Sequence, residues 1–159
     1  MNRRDMLGLL ALLPAAALGQ EPEITHAQPE LKREKLVIVA RDGQQHAFNV
    51  EVAETIEQET VGLMFRTSVP PDGGMLFDWK QPRESQMWMR NTLVPLDMVF
   101  INEDGSIRSI AEDTVPESLA VIDSRGPVRA TLELAGGTTA RLDIRVGDKV
   151  LHRIFGNAP

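Results

Sequence analysis

Four polar residues interrupt an otherwise apolar stretch, QMWMRNTLVPLDMVFI, running from Gln86 to Ile101: Arg90, Asn91, Thr92 and Asp97. Polar and charged groups are costly in apolar surroundings unless partnered. Their presence makes this stretch the best candidate for a site, a polar pocket around Arg90, Asn91 and Asp97. The segment from Leu96 onward alternates with apolar residues on both faces, and such strands are usually covered on both sides. Asp97 must therefore meet a partner, with Arg90 and Asn91 nearest along the chain and Arg66 a third candidate. Two readings stay open. A structural Asp97 would be enclosed by protein donors, and a functional one would open onto a cleft. Trp88 alternates with Met87 and Met89 and so shares a face with Arg90. Together they form either a stacking wall for a ligand or ordinary core and rim packing.

Glu133 lies in the alternating segment Val128 to Leu134, opposite Val128, Ala130, Leu132 and Leu134. Its plain reading is a solvent-facing residue. Its sharper reading is a general acid/base partner for Asp97, as in a hydrolase or lyase acting on a carbohydrate or cell-wall fragment. No catalytic residue is assigned. The sequence has no Gly-x-Ser-x-Gly elbow, phosphate-binding loop, dinucleotide fingerprint or His-Glu-x-x-His motif. Its three histidines are scattered and it has no cysteine, so neither a zinc site nor a thiol nucleophile is expected. Met87, Met89 and Met98 read as core filler rather than thioether ligands for copper. No metal and no cofactor are expected. A formal charge of −6 without a basic stripe argues against a nucleic-acid partner.

The elements that must position these residues are mostly short strands. Leu36 to Val39 and Gln45 to Val52 flank Asp42-Gly43, a tight-hairpin signal. Thr55 with Gln58 forms a capping box that starts one helix, expected to end near Arg66 with Ile56, Thr60, Leu63 and Met64 on one face. Met75 to Phe77, Gln86 to Arg90, Leu96 to Asn102, Ser106 to Ala111, Val128 to Leu134 and Val150 to Phe155 read as strands, and Thr138 to Leu142 as a helical turn. This predicts an α+β, β-rich fold: a small barrel or strongly bent mixed sheet with one covering helix.

The first residues read as targeting. Arg3 and Arg4 precede an apolar run from Met6 to Leu18, with small residues before Gly19. Residues 1–19 are expected to be a signal peptide of the general secretory or twin-arginine type. Residues 20–34 are a flexible leader, and 35–157 a single globular domain. The product would be periplasmic or secreted, with no membrane anchor after cleavage.

Several segments, in order, carry a family resemblance. They are Gly62-Leu63-Met64-Phe65-Arg66, Gly74-Met75-Leu76-Phe77, Trp88-Met89-Arg90-Asn91-Thr92, Pro95 to Ile101, Asp104-Gly105, Leu132-Glu133-Leu134, Gly136-Gly137 and Gly147-Asp148. The chain from about Leu36 to Ile154 resembles the domain of unknown function 192 family, with Arg90 where the family pattern has lysine. The resemblance implies a compact β-rich domain, often exported, and implies no activity. Arg66, Trp88, Arg90, Asn91, Thr92, Asp97 and Glu133 all fall within its segments and form the candidate ligand-binding set. The function expected is a small-ligand binding or accessory module. The alternatives are the Asp97–Glu133 enzyme and a pocketless protein-interaction domain. The partner is thus an unknown small ligand or protein.

Overall fold

The computed structural model describes residues 23–159, so the expected signal peptide lies outside the described residues. Seven strands form one sheet: β1 (Arg33–Val39), β2 (Gln45–Ala53), β3 (Met75–Met87), β4 (Leu96–Ile101), β5 (Ile107–Ala111), β6 (Ile122–Ala135) and β7 (Lys149–Leu151). Their spatial order is β5-β4-β6-β3-β2-β1-β7. All neighbours are antiparallel except β2 and β3. That parallel pair needs a crossover, supplied by helix α1 (Ile56–Val61) and the loop after it. The two ends of the sheet meet where Ser106 bridges Lys149. The Ile107 N–H donates to the Asp148 carbonyl (2.9 Å) and the Val150 N–H to the Gly105 carbonyl (2.8 Å). The sheet is therefore nearly closed into a barrel, and the β-rich α+β expectation holds.

Alternation along the strands makes two cores. Leu36, Ile38, Phe48, Val50, Leu76, Val99, Leu132 and Val150, from six of the seven strands, pack as the barrel interior. Met75, Phe77, Met98 and Phe100 point the other way and pack with Leu63 and Met89 as an outer core. β4 lies between the two, and all six of its residues are buried. The sequence pattern of a strand covered on both faces thus has a direct cause.

Several elements differ from the sequence reading. The capping box forms in both directions: the Gln58 N–H donates to the Thr55 hydroxyl, and the Gln58 side chain accepts from the Thr55 and Glu54 N–H groups. The helix nevertheless stops at Val61, not near Arg66, because Gly62 turns out of it at φ 50°. With only six residues, α1 leaves Ile56 exposed. The strands expected at Met75 to Phe77 and Gln86 to Arg90 are one long strand that ends at Met87. It passes Gln81-Pro82 through a register shift between Asp78 and Arg83, which accommodates a residue that has no N–H to give. Upstream of β1, the Gln28 side-chain amide donates to the Gln58 and Gly62 carbonyls (3.0 and 2.9 Å), and the Leu31 N–H donates to Glu51 (2.7 Å). The described part of the 20–34 segment is thus tied to α1 and β2. A second short helix, α2 (Thr138–Arg141), follows β6.

Candidate functional site

Glu133 sits on β6 between Met75 of β3 and Met98 of β4, its cross-strand partners. It belongs to the outer core, not to solvent, and is 4% exposed. Burial pushes its carboxyl up to about 8. The carboxyl faces a cleft of about 440 Å³, within the size range of small-ligand sites.

Three segments make the cleft. α1 contributes Glu59 and Thr60, and Leu63 and Met64 follow it. Gly62 is needed at the junction. Its φ is positive, and an added Cβ would lie 3.0 Å from the Phe77 ring, so glycine lets the helix end settle on β3. β3 contributes Phe77, Trp79, Arg83, Gln86 and Met87. The register shift brings the Arg83 guanidinium over the Trp79 ring, 4.1 Å from its centroid. The Trp79 indole N–H donates to the Thr131 hydroxyl (3.1 Å), which fixes the ring. The turn after β3 contributes Trp88 and Thr92. It is built on Asn91, whose backbone is left-handed (φ 55°), the Asn-tolerated region. The Phe65 N–H donates to the Asn91 carbonyl at 2.8 Å, and the Thr92 N–H donates to that of Met89 at 3.0 Å. Burial also raises the pKa of the Glu59 carboxyl, against attraction from Arg83.

The expected site residues separate into distinct places. Trp88, Thr92 and Glu133 line this cleft. Asn91 shapes it from behind, with its amide 3.8 Å from the Met64 sulfur. Arg90 is exposed and lies over Trp88, 5.4 Å from the ring centroid, as the shared-face reading expected. The pair borders a neighbouring groove along α1. That Trp is nearly half exposed, so it is not a core residue.

Asp97 is elsewhere. Its partner in the ladder is Leu134, whereas that of Glu133 is Met98, so the two carboxyls point to opposite faces of the sheet. Asp97 is fully buried. It accepts from the N–H groups of Asp113 (2.8 Å), Gly137 (3.0 Å) and Thr139 (2.7 Å) and from the Thr139 hydroxyl (2.7 Å). It is a structural carboxylate that fixes the start of α2, and it faces neither Arg90 nor Arg66. The Asp97–Glu133 acid/base pair fails on this geometry. Arg66 instead grips Glu51 with two bonds, 3.1 and 3.0 Å, against the outer face of β2. Asp78 is held by Lys80 and Arg129.

Glu59, Trp79 and Arg83 escaped the sequence reading. Splitting β3 at Pro82 hid the proximity of Trp79 and Arg83. Among the described residues, no group of three or more His, Asp or Glu side chains is placed to hold a metal ion. No helix among them is long and apolar enough to cross a membrane.

Residues 37–152 match the family model described as Uncharacterized ACR, COG1430, or DUF192. The chain belongs to the DUF192 family. The resemblance drawn from its segments is therefore correct. A Sinorhizobium meliloti 1021 protein, described as a "putative transcription regulator", is 43% identical with a TM-score of 0.75, covering 84% of this chain and 99% of its own. A Novosphingobium aromaticivorans DSM 12444 protein of unknown function is 35% identical, also with a TM-score of 0.75, over 89% of this chain and 100% of its own. None of the curated proteins compared with the chain matches it. Both similar structures are matched along nearly their full length, so the overall fold is shared with them.

Proposed function

We propose that this DUF192 domain is an exported small-ligand binding module whose site is the cleft under α1, centred on Glu133 and not on Asp97. One observation carries the reading. Trp88, Thr92 and Glu133, contributed by a turn and a distant strand, line a single cleft of about 440 Å³. Glu133 is buried, burial raises the pKa of its carboxyl, and among the described residues no side chain or backbone group hydrogen-bonds it. Buried polar groups are ordinarily satisfied within the fold, so an uncompensated one facing a cavity supports a ligand as its partner. Leu63, Phe77 and Met87 give the apolar lining usual in such sites, and Thr92 and Gln86 offer orienting polar groups. The formal charge of −6 does not favour carrying over the regulator description of the Sinorhizobium protein.

The test is a thermal-shift screen of a small-metabolite library on the wild type and on Thr60→Trp, which fills the mouth of the cleft from α1. Compounds that stabilise the wild type are expected to lose their effect in the variant. Stabilisation that persists in Thr60→Trp would place binding elsewhere, and a screen without hits would remove the reading. Export through residues 1–19 is tested by fractionation. Retention of the Arg3→Lys/Arg4→Lys double variant in the cytoplasm would identify the twin-arginine route, and continued export the general one.

A further inference from the structure

We propose that the occupant of the Glu133 cleft is an amphipathic organic cation, a protonated amine whose ammonium pairs with the Glu133 carboxylate while its apolar body lies against Leu63, Phe77 and Met87. This rests on the binding-module reading and names its ligand class.

The argument begins with unpaired charge. Two acidic side chains line the cleft, Glu133 from β6 and Glu59 from α1, and neither takes part in an ion pair among the described residues. Another acidic side chain of this outer face is treated differently: Glu51 has Arg66. Among the described residues, the one cation that lines the cleft, Arg83 of β3, is exposed and turned onto the Trp79 ring. From β4 the groups packed against Glu133 are apolar, Met98 foremost. The turn supplies Trp88 and the neutral Thr92. With both acids ionised the cleft holds one negative charge more than it can balance.

A ligand must resolve this in one of three ways. An anion would bring a third negative group and could pair only with the outward Arg83. A neutral alcohol would hydrogen-bond a protonated Glu133 but bring no charge to meet the carboxylate when it ionises. An ammonium supplies three donors on a compact charge, matches the depth of Glu133, and gains strength from the low-dielectric walls. The proton balance is simple. Below the pKa of the buried acid the empty site holds a proton on Glu133. Entry of the ammonium ionises the acid, and that proton leaves to solvent, so binding tightens as pH rises towards that pKa.

The experiment compares three ligands with one body: 4-phenylbutylamine, 4-phenylbutanol and 4-phenylbutyrate, titrated calorimetrically into the wild type and Glu133→Gln. The amine is expected to bind the wild type at least about tenfold more tightly than the alcohol. At pH 6.5 it should release close to one proton, read from the dependence of the binding heat on buffer ionisation. Glu133→Gln, checked for an unchanged fold by circular dichroism, should lose the preference and the proton release while keeping the alcohol. Alcohol or acid bound as tightly as amine would overturn the amine assignment and leave the cleft as a binding site. A preference that survives in Glu133→Gln would overturn it as well. Failure of all three ligands to bind would count against the amine class and the binding reading together.

Discussion

Thr139 reaches Asp97 twice: its backbone N–H and its hydroxyl both meet the same carboxylate oxygen at 2.7 Å. The other oxygen takes the N–H groups of Asp113 and Gly137. Four donors converge on a side chain with no exposure, leaving no room for an amide. Asp97→Asn must point its NH₂ at one of these N–H groups. We expect it to lower stability by about 2 to 3 kcal/mol, the scale of a lost charged hydrogen bond plus an unsatisfied buried donor. Urea denaturation measures this. Ligand affinity per folded molecule should not change.

Glu133 gives the opposite kind of prediction, one of pH. Its folded-state pKa, about 8, lies above the ordinary 4.5. Between those values the folded protein holds a proton that the unfolded chain has lost. Stability therefore falls as pH rises through this window, by up to about 1.4 kcal/mol per pH unit for one proton. The contribution is fully present below about 4.5 and is gone above about 8. Urea melts from pH 5 to 8 should show the decline in the wild type and a shallower one in Glu133→Gln. Equal slopes would mean that the carboxyl is better solvated than its burial implies.

Arg66 and Glu51 form a bidentate pair, and only a small part of either side chain is exposed. Arg66→Ala leaves Glu51 buried with the Leu31 N–H as its remaining donor. The expected loss is about 3 kcal/mol, read from the urea midpoint. The double variant Glu51→Gln/Arg66→Met should recover part of it, because no buried charge remains. Without such recovery, Arg66 would owe its value to packing.

Gly74 lies directly against β6. A Cβ there would sit 2.2 Å from the Glu133 carbonyl oxygen, and its φ of 138° disfavours any side chain. Gly74→Ala must push β3 and β6 apart beside the cleft. A loss of at least about 3 kcal/mol in thermal or urea melts is expected. A mild effect would show that this part of the ladder can shift cheaply.

Local signals in the sequence read well. Asp42-Gly43 makes its turn with Gly43 at φ 86°, and the Thr55–Gln58 capping box forms as written. The alternation in β6 correctly sets Leu132 and Leu134 inward and Glu133 opposite. What alternation cannot say is whether the opposite face is wet. Here α1 and the Trp88–Pro95 turn cover it, and both arrive from distant parts of the chain. The same gap hides Glu51, a charged residue of β2 that is buried under Arg66 and residue 31. Asp97 failed differently. Its donors come from residues 113 to 139, so proximity in sequence to Arg90 was a poor guide. Trp88 to Arg90 alternates like a strand, but the left-handed Asn91 makes the segment a turn. DUF192 membership, by contrast, was legible because it rests on ordered short segments and needs no contact map.

The junction between the first and last strands of the sheet has a consequence for self-association. An open sheet offers rows of unpaired backbone groups that can recruit strands from other chains. Here the outer side of β7 is occupied by residues 105–107, through the Ser106–Lys149 bridge and the bonds beside it. What remains of the outer edge of β5 is short, and it carries Arg108, whose guanidinium bonds the Arg125 carbonyl. Among the described residues the fold thus leaves little template for edge-to-edge aggregation, so the closed seam protects the folded chain from pairing with its own copies.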